Sequence, residues 1–289
     1  MNNKLLATVG AAAFSICLSA GVSHAASLEP GETMGIAALA PLPEGVFFLD
    51  NENYGKQDNS NTRLGVNIPL IVWSTPWTIY NTRLEFLAAL PFAHLDGGGV
   101  NQIGAISYAF GTILAHDFGG GFTGGLATIV RTPDPSVNIQ RLSGRTQVQA
   151  DIRGGLYYTT NGFNFAETSW YTGTFGNHAT FAYNDAVGVD FSATKTFDKL
   201  EVGMVGLATT DIQNTPGAGG RFAEVALGGM VGYNFGTFTL QGMVTRDVLR
   251  TVNGSSAGVG KETRGWLRLI VPLYVAAAPV VAAPLKARY

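Results

Sequence analysis

The sequence predicts an all-β fold: an antiparallel transmembrane β-barrel of about twelve strands with both termini in the periplasm. Three observations carry this. The first is alternation. Between Arg145 and Phe165, Arg145, Gln147, Gln149, Asp151 and Arg153 fall on one parity, and Thr146, Val148, Ala150, Ile152, Leu156 and Tyr158 on the other. Period two is the repeat of a strand whose faces see different surroundings. The run is long enough for a tilted strand of about 9–11 residues across a bilayer, whereas strands of soluble domains are commonly about 5–6. Asn161-Gly162 then supplies a tight hairpin turn. The second is the sorting of connections into long and short, described below. The third is composition: 38 glycines and 11% aromatic residues against 13% charged, in 289 residues.

In chain order, Lys4, the apolar run Leu5–Leu18 and Ser23-His24-Ala25 read as a signal peptide over residues 1–25, cleaved after Ala25 or Ala26. The apolar run is too short for a first transmembrane helix. Cys17 lies inside it, so the processed chain holds no disulfide, Cys-ligated metal or thiol nucleophile. Residues 26–44 carry Gly, Pro and a small apolar piece, Met34–Leu42, without a clean period. They read either as a periplasmic tail or as a plug folded into the barrel. The barrel follows over residues 45–274. No stretch has the roughly 20 consecutive apolar residues of a helical span.

Candidate strands are 45–56, 63–73, 78–91, 103–116, 121–131, 145–159, 162–172, 183–197, 199–210, 221–235, 237–248 and 262–274. Long connections (56–62, 92–102, 132–144, 173–182, 211–220, 249–261) alternate with short ones at 74–77, 117–120, 160–161, 198 and 236. Long loops outside and tight turns in the periplasm are the pattern of an outer-membrane barrel. Leu64, Val66, Ile68, Leu70 and Val72 alternate with Gly65, Asn67 and Pro69, and are assigned to the lipid face. Trp73, Trp77, Tyr80, Phe118, Phe122, Tyr158, Phe163, Phe197, Tyr233, Phe235 and Phe238 gather near the short turns, as one interfacial girdle. Residues 275–289, rich in Ala, Pro and Val, read as an extended C-terminal tail.

Charges on the lipid side cost a few kcal/mol near the midplane, so the polar parity faces inward. The candidate lumen-lining residues are Asn81, Arg83, Glu85, Arg145, Gln147, Gln149, Asp151, Arg153, Glu224, Gln241, Asp247, Arg264 and Arg268. They serve either as a mutually paired interior that stiffens the barrel or as a selectivity zone in a pore. Both signs are present, so strong ion selectivity does not follow.

Nothing points to an enzyme, a cofactor or a metal site. There is no G-x-S-x-G elbow, and 254–262 fails the spacing of a phosphate loop. Gly119-Gly120-Gly121 reads as a turn. His94, His116 and His178 have no partners placed by sequence, and Asp50, Asp58, Asp96 and Asp134 are scattered. The net charge of −2 argues against a nucleic-acid partner. The expected partners are outer-membrane lipid and a small solute.

Several segments resemble a family of outer-membrane transporters associated with the meta-pathway of phenol degradation. They are Pro30-Gly31-Glu32-Thr33, then Pro41-Leu42-Pro43-Glu44-Gly45-Val46-Phe47-Phe48, the Asn53-Tyr54 pair, the Thr75-Pro76-Trp77 turn and the end of the last strand, Val271-Pro272-Leu273. Glu44 and the C-terminal tail depart from the family pattern. The resemblance implies a bacterial outer-membrane channel for uptake of small hydrophobic or aromatic compounds. A general porin for polar solutes and a structural or adhesive barrel are the alternatives. Pro69, Pro91 and Pro272, which weaken strand pairing, are candidate sites for a sideways exit.

Overall fold

Tight turns with left-handed residues fix the sheet register. Asn161 and Gly162 take φ of 48° and 76°, and Tyr80 and Asn81 take 49° and 61°. Both pairs suit the hairpin turns whose twist matches flanking strands. The computed structural model describes residues 30–59, 63–97, 100–143, 146–175, 184–213 and 220–277. The expected signal peptide and most of the C-terminal tail lie outside these residues.

Among them the strands are β1 (Gly45–Gln57), β2 (Arg63–Ile79), β3 (Thr82–Ala89), β4 (Phe92–Gly97), β5 (Val100–Ala105), β6 (Ala109–Gly119) and β7 (Phe122–Arg131). After helix α1 (Val137–Ser143) come β8 (Gln149–Thr160), β9 (Phe163–Thr174), β10 (Ala186–Phe197), β11 (Leu200–Asp211), β12 (Phe222–Asn234), β13 (Thr239–Val252) and β14 (Glu262–Val275). Neighbours pair antiparallel in the order β1-β14-β13-β12-β11-β10-β9-β8-β7-β6-β3-β2, and β1 pairs with β2 to close the ring. The result is a closed twelve-stranded antiparallel barrel.

The hairpin β4–β5 prolongs this ring. Ala89 of β3 faces Leu70 of β2, and Phe92 of β4 faces Asn67. Thus β3 and β4 form one stave, broken at Leu90-Pro91. Proline has no N–H for the ladder, and Pro69 stands on the opposite strand near the break. Leu90 N donates to Pro69 O at 3.1 Å and Ile106 N to Pro91 O at 2.9 Å, which ties the break together. Pro272 lies beside the register shift between β1 and β14. The expected loop 92–102 is therefore mostly strand, and the expected loop 132–144 holds α1.

The turn expected at Ser74–Trp77 is not there. β2 runs on through an irregularity between Ser74 and Thr78 and turns at Tyr80-Asn81. Thr75 Oγ1 donates to Leu84 O at 2.6 Å and accepts from Trp77 N at 3.1 Å, while Arg83 Nη1 reaches Thr75 O at 2.5 Å. These bonds occupy backbone groups that the bulge takes out of the ladder.

The inner and outer faces of β2 are the reverse of the sequence expectation. Val66, Ile68 and Val72 are buried inside, while Ile71 and Trp73 face out. The reason is tertiary. Val66 and Ile68 join Ala89, Ala93, Ile106, Ala109, Ile129 and the α1 residue Ile139 in an internal apolar cluster. A lumen packed with protein wants apolar residues, not wet ones. On β8 Asp151 is fully buried while Ile152 and Leu156 are more than half exposed.

Trp73, Trp77, Phe118, Phe122, Phe163, Phe197 and Tyr233 are exposed near the short turns. Ring pairs such as Phe122–Tyr158, with centroids 4.3 Å apart, link neighbouring strands of this girdle. Leu126, in the middle of β7 and 62% exposed, marks the lipid face. Leu126→Arg is expected to destabilise the barrel by about 2–4 kcal/mol. Equilibrium unfolding in lipid vesicles measures this; an unchanged midpoint would move Leu126 out of the hydrocarbon.

The start of β1 and the end of β14 lie side by side, with Gly45 opposite Val275 and Ala276 N donating to Glu44 O at 2.8 Å. Both ends sit at the short-turn rim, the periplasmic one in barrels of this kind. From there residues 30–44 turn into the barrel.

Candidate functional site: the lumen and the segment inside it

The strand alternation aims one side chain in two at the lumen, and residues 30–42 run among these side chains. Leu42 N donates to Glu85 Oε1 at 2.9 Å, and Ser74 Oγ donates to Leu42 O at 3.0 Å. Deeper in, Leu39 N donates to the Tyr157 hydroxyl at 3.0 Å. Asp190 on β10 accepts from Gly31 N at 2.8 Å, from Thr33 N at 3.0 Å and from Thr33 Oγ1 at 2.7 Å. The apolar side chains alternate with these anchors. Met34 packs with Val205, Leu207, Ala226, Met230, Met243 and Trp266. Leu39 packs with Ile113, Ala115, Ala127 and Tyr157.

Two arginines hold the middle of the segment. Arg268 on β14 is fully buried. Its Nη1 donates to Met34 O at 2.5 Å and to Gln241 Oε1 at 3.0 Å, its Nη2 to Glu32 O at 2.7 Å, and its Nε to Asn51 Oδ1. Arg153 on β8 donates from Nη1 to the Glu32 carboxylate and from Nη2 to Asp151 Oδ2 at 3.2 Å. Asp151 also meets Arg131 at 3.4 Å and accepts from Thr172 Oγ1 at 2.9 Å. Burial pushes the Glu32 carboxyl up to about 7 although Arg153 pulls the other way.

A second ionic group lies toward the long-loop rim. Arg250 is within 2.9 Å of both Asp247 and Glu262 and 3.8 Å from Glu224. Arg264 meets Glu262 at 2.6 Å. Three carboxylates thus share two guanidinium groups, each within 4 Å of at least one. No cluster of His, Cys, Asp or Glu suited to a metal ion occurs among the described residues.

Of the candidates named from sequence, Glu85, Gln149, Asp151, Arg153, Glu224, Gln241, Asp247 and Arg268 are buried on the inner face. Arg264 and Gln147 are half-buried, and Gln147 precedes β8. Arg83 is half-buried and staples the β2 bulge. Asn81 is a correction: it sits exposed in the β2–β3 turn with φ of 61°, outside the lumen, because the turn falls later than expected. Arg145 lies outside the described residues. Sequence reasoning did not name Glu32, Arg131, Tyr157, Asp190, Arg250 or Glu262 among the lumen-lining residues. The inward parity of β10 pointed to Asp190; the Pro30-Gly31-Glu32-Thr33 motif contains Glu32, but no periodicity in 26–44 placed it against the wall.

Between the segment and the wall lies a cavity of about 470 Å³. Leu39, Leu42, Leu70, Val72, Leu87 and Ile113 give it apolar sides, and Glu32, Arg153 and Tyr157 supply polar atoms. At the outer rim Asp58 pairs with Arg246, whose Nη1 donates to Oδ1 at 2.9 Å and Nη2 to Oδ2 at 2.5 Å. This hydrogen bonding holds the Asp58 carboxyl below its ordinary 3.8. The pair is therefore present above 3.8 and is lost as pH falls through the lowered value. A carboxyl-carbon NMR titration is expected to place the Asp58 midpoint below 3.8; a midpoint at or above it would mean the pair is open in solution.

The same architecture occurs in an outer membrane channel from Pseudomonas putida F1, whose crystal structure superposes with a TM-score of 0.67 at 12% identity, over 85% of this chain and 99% of that one. The fold is that of an outer-membrane β-barrel. The NanC porin (TM-score 0.47, 9% identity, 78% of this chain and 100% of that one) and the P. putida toluene transporter TodX (0.40, 9%, 83% and 93%) are more distant. No family model matches the chain, and no curated protein matches it. No helix among the described residues is long and apolar enough to cross a membrane.

Proposed function

We propose that the chain is an outer-membrane channel for uptake of small hydrophobic or aromatic compounds, with residues 30–44 as its plug. One observation carries this reading: the space inside the barrel is a cavity with apolar sides, where Arg153 pairs with Glu32 of the segment and Glu201 is held by Asn164, Thr194 and Gln241. A water-filled pore for ions wants the opposite lining. Binding, with no covalent chemistry, is the mechanism. The solute enters past the long loops, rests against Leu39, Leu70 and Leu87, and leaves when the segment yields or through the wall.

Conductance in a planar bilayer, with and without toluene or phenol, tests the reading. A nearly silent barrel whose brief openings the aromatic blocks is expected. Large, steady openings indifferent to the aromatic would make it a general porin. For the wall route, the break at Leu90-Pro91 is the candidate gap. Asn67 and Phe92 face each other across it. Joining them as a disulfide (Asn67→Cys with Phe92→Cys) is expected to reduce uptake of an apolar solute, and undiminished uptake would remove that route.

A further inference from the structure

We propose that the lumen cavity takes an amphipathic monocarboxylate, a small apolar molecule with one carboxylate, and that this carboxylate replaces Glu32 on Arg153. The inference rests on the channel reading above and narrows its solute class.

Arg153 and Glu32 both line the cavity, beside its apolar sides. Arg153 is 5% exposed, and its guanidinium bonds two carboxylates of different standing. Asp151 belongs to the same strand and has further partners in Arg131 and Thr172. Glu32 belongs to a segment that pairs with no strand. Its Oε1 accepts from Arg153, and its Oε2 accepts no hydrogen bond among the described residues. Glu32 is thus a carboxylate brought to a wall arginine by a separate piece of chain. That is the position of a competitor that a free carboxylate can displace, because the planar fork of arginine fits any carboxylate.

A solute carboxylate in the place of Glu32 keeps the charge at Arg153 as it is, whereas a neutral solute there removes one of its two carboxylate partners. The cavity's other carboxylate, Glu201, already accepts from Asn164 at 3.2 Å, from Thr194 at 2.5 Å and from Gln241 at 3.5 Å. An amine bound there would compete with three existing donors. The volume of about 470 Å³ falls among ordinary small-molecule sites.

Three probes of one shape separate the possibilities: 4-phenylbutyrate, 4-phenylbutanol and 4-phenylbutylamine, titrated by calorimetry onto the full chain in lipid nanodiscs at neutral pH, with empty nanodiscs subtracted. The acid is expected to bind about tenfold tighter than the alcohol. Glu32→Ala removes the competitor and is expected to tighten the acid by about tenfold while leaving the alcohol unchanged. Arg153→Gln is expected to erase the preference for the acid. Equal binding of acid and alcohol would overturn the carboxylate site and leave the apolar channel standing. Preference for the amine would also overturn it, in favour of Glu201. Weaker acid binding in Glu32→Ala would make Glu32 part of the scaffold and overturn the exchange. Binding of none of the three would remove the cavity as a solute site, and the channel reading with it.

Discussion

Removing residues 27–43 is expected to raise single-channel conductance severalfold. The segment fills the lumen from the short-turn rim to the level of Trp266, which Gly31 approaches closely. Its hydrogen bonds go to side chains on at least β1, β3, β8, β10, β13 and β14, and none replaces a ladder bond of the sheet. Strand pairing therefore survives its loss. Cutting before Glu44 keeps the bond from Ala276 N to Glu44 O that holds the seam between the first and last strands. What is lost is packing: Met34 and Leu39 leave two internal apolar clusters. Burying such a side chain contributes about 1.5–3 kcal/mol, so the shortened barrel should also unfold at lower denaturant. An unchanged current would show that the segment does not obstruct the pore.

Arg268→Ala is the point mutation with the largest expected effect. It leaves the Asn51 and Gln241 side-chain oxygens and the carbonyls of Glu32 and Met34 without this donor, all at a buried site. Each buried acceptor left without a partner costs about 1–3 kcal/mol. That loss falls on the docking of the segment more than on the sheet, because half of the bonds go to the segment's backbone. Its docked population should fall by about a hundredfold or more, and conductance should approach that of the deletion. Arg268→Lys keeps the charge without the fork, so an intermediate current is expected. A closed channel in both variants would assign the hold on the segment to its other anchors, among them Asp190, Arg153, Tyr157 and Glu85.

How much of this was legible depended on what each strand faces. β8 announces itself because its inner face meets charged partners and its outer face meets lipid, so the two parities differ in chemistry. β2 misleads because both of its faces are largely apolar, and the inner one packs against Ile139 of α1, which no local pattern reveals. Its turn was misplaced because Thr75-Pro76-Trp77 looks like a turn but sits in a bulge. The break at Pro91 hid the hairpin β4–β5 by resembling a strand end. Arg250 was assigned to a loop because β13 runs past its expected end. The Glu32–Arg153 contact joins residues 121 positions apart, one of them in a segment with no period to read.

The position of that segment in the chain has a consequence for assembly. It precedes β1, and β1 meets β14 only when the ring closes. Its partner Arg268 lies on β14, 236 residues from Glu32. The wall must therefore curl around the segment, or the segment must thread a finished ring. The first order makes the segment a mandrel: it gathers β8, β10 and β14 before the seam is sealed, and its contacts are among the most non-local in the molecule. Contacts of that separation form late and slowly. A refolding reaction should then show sheet formation ahead of the burial of Trp266 beside Gly31, with the slow step set by whether the hoop closes on its core or leaves it outside.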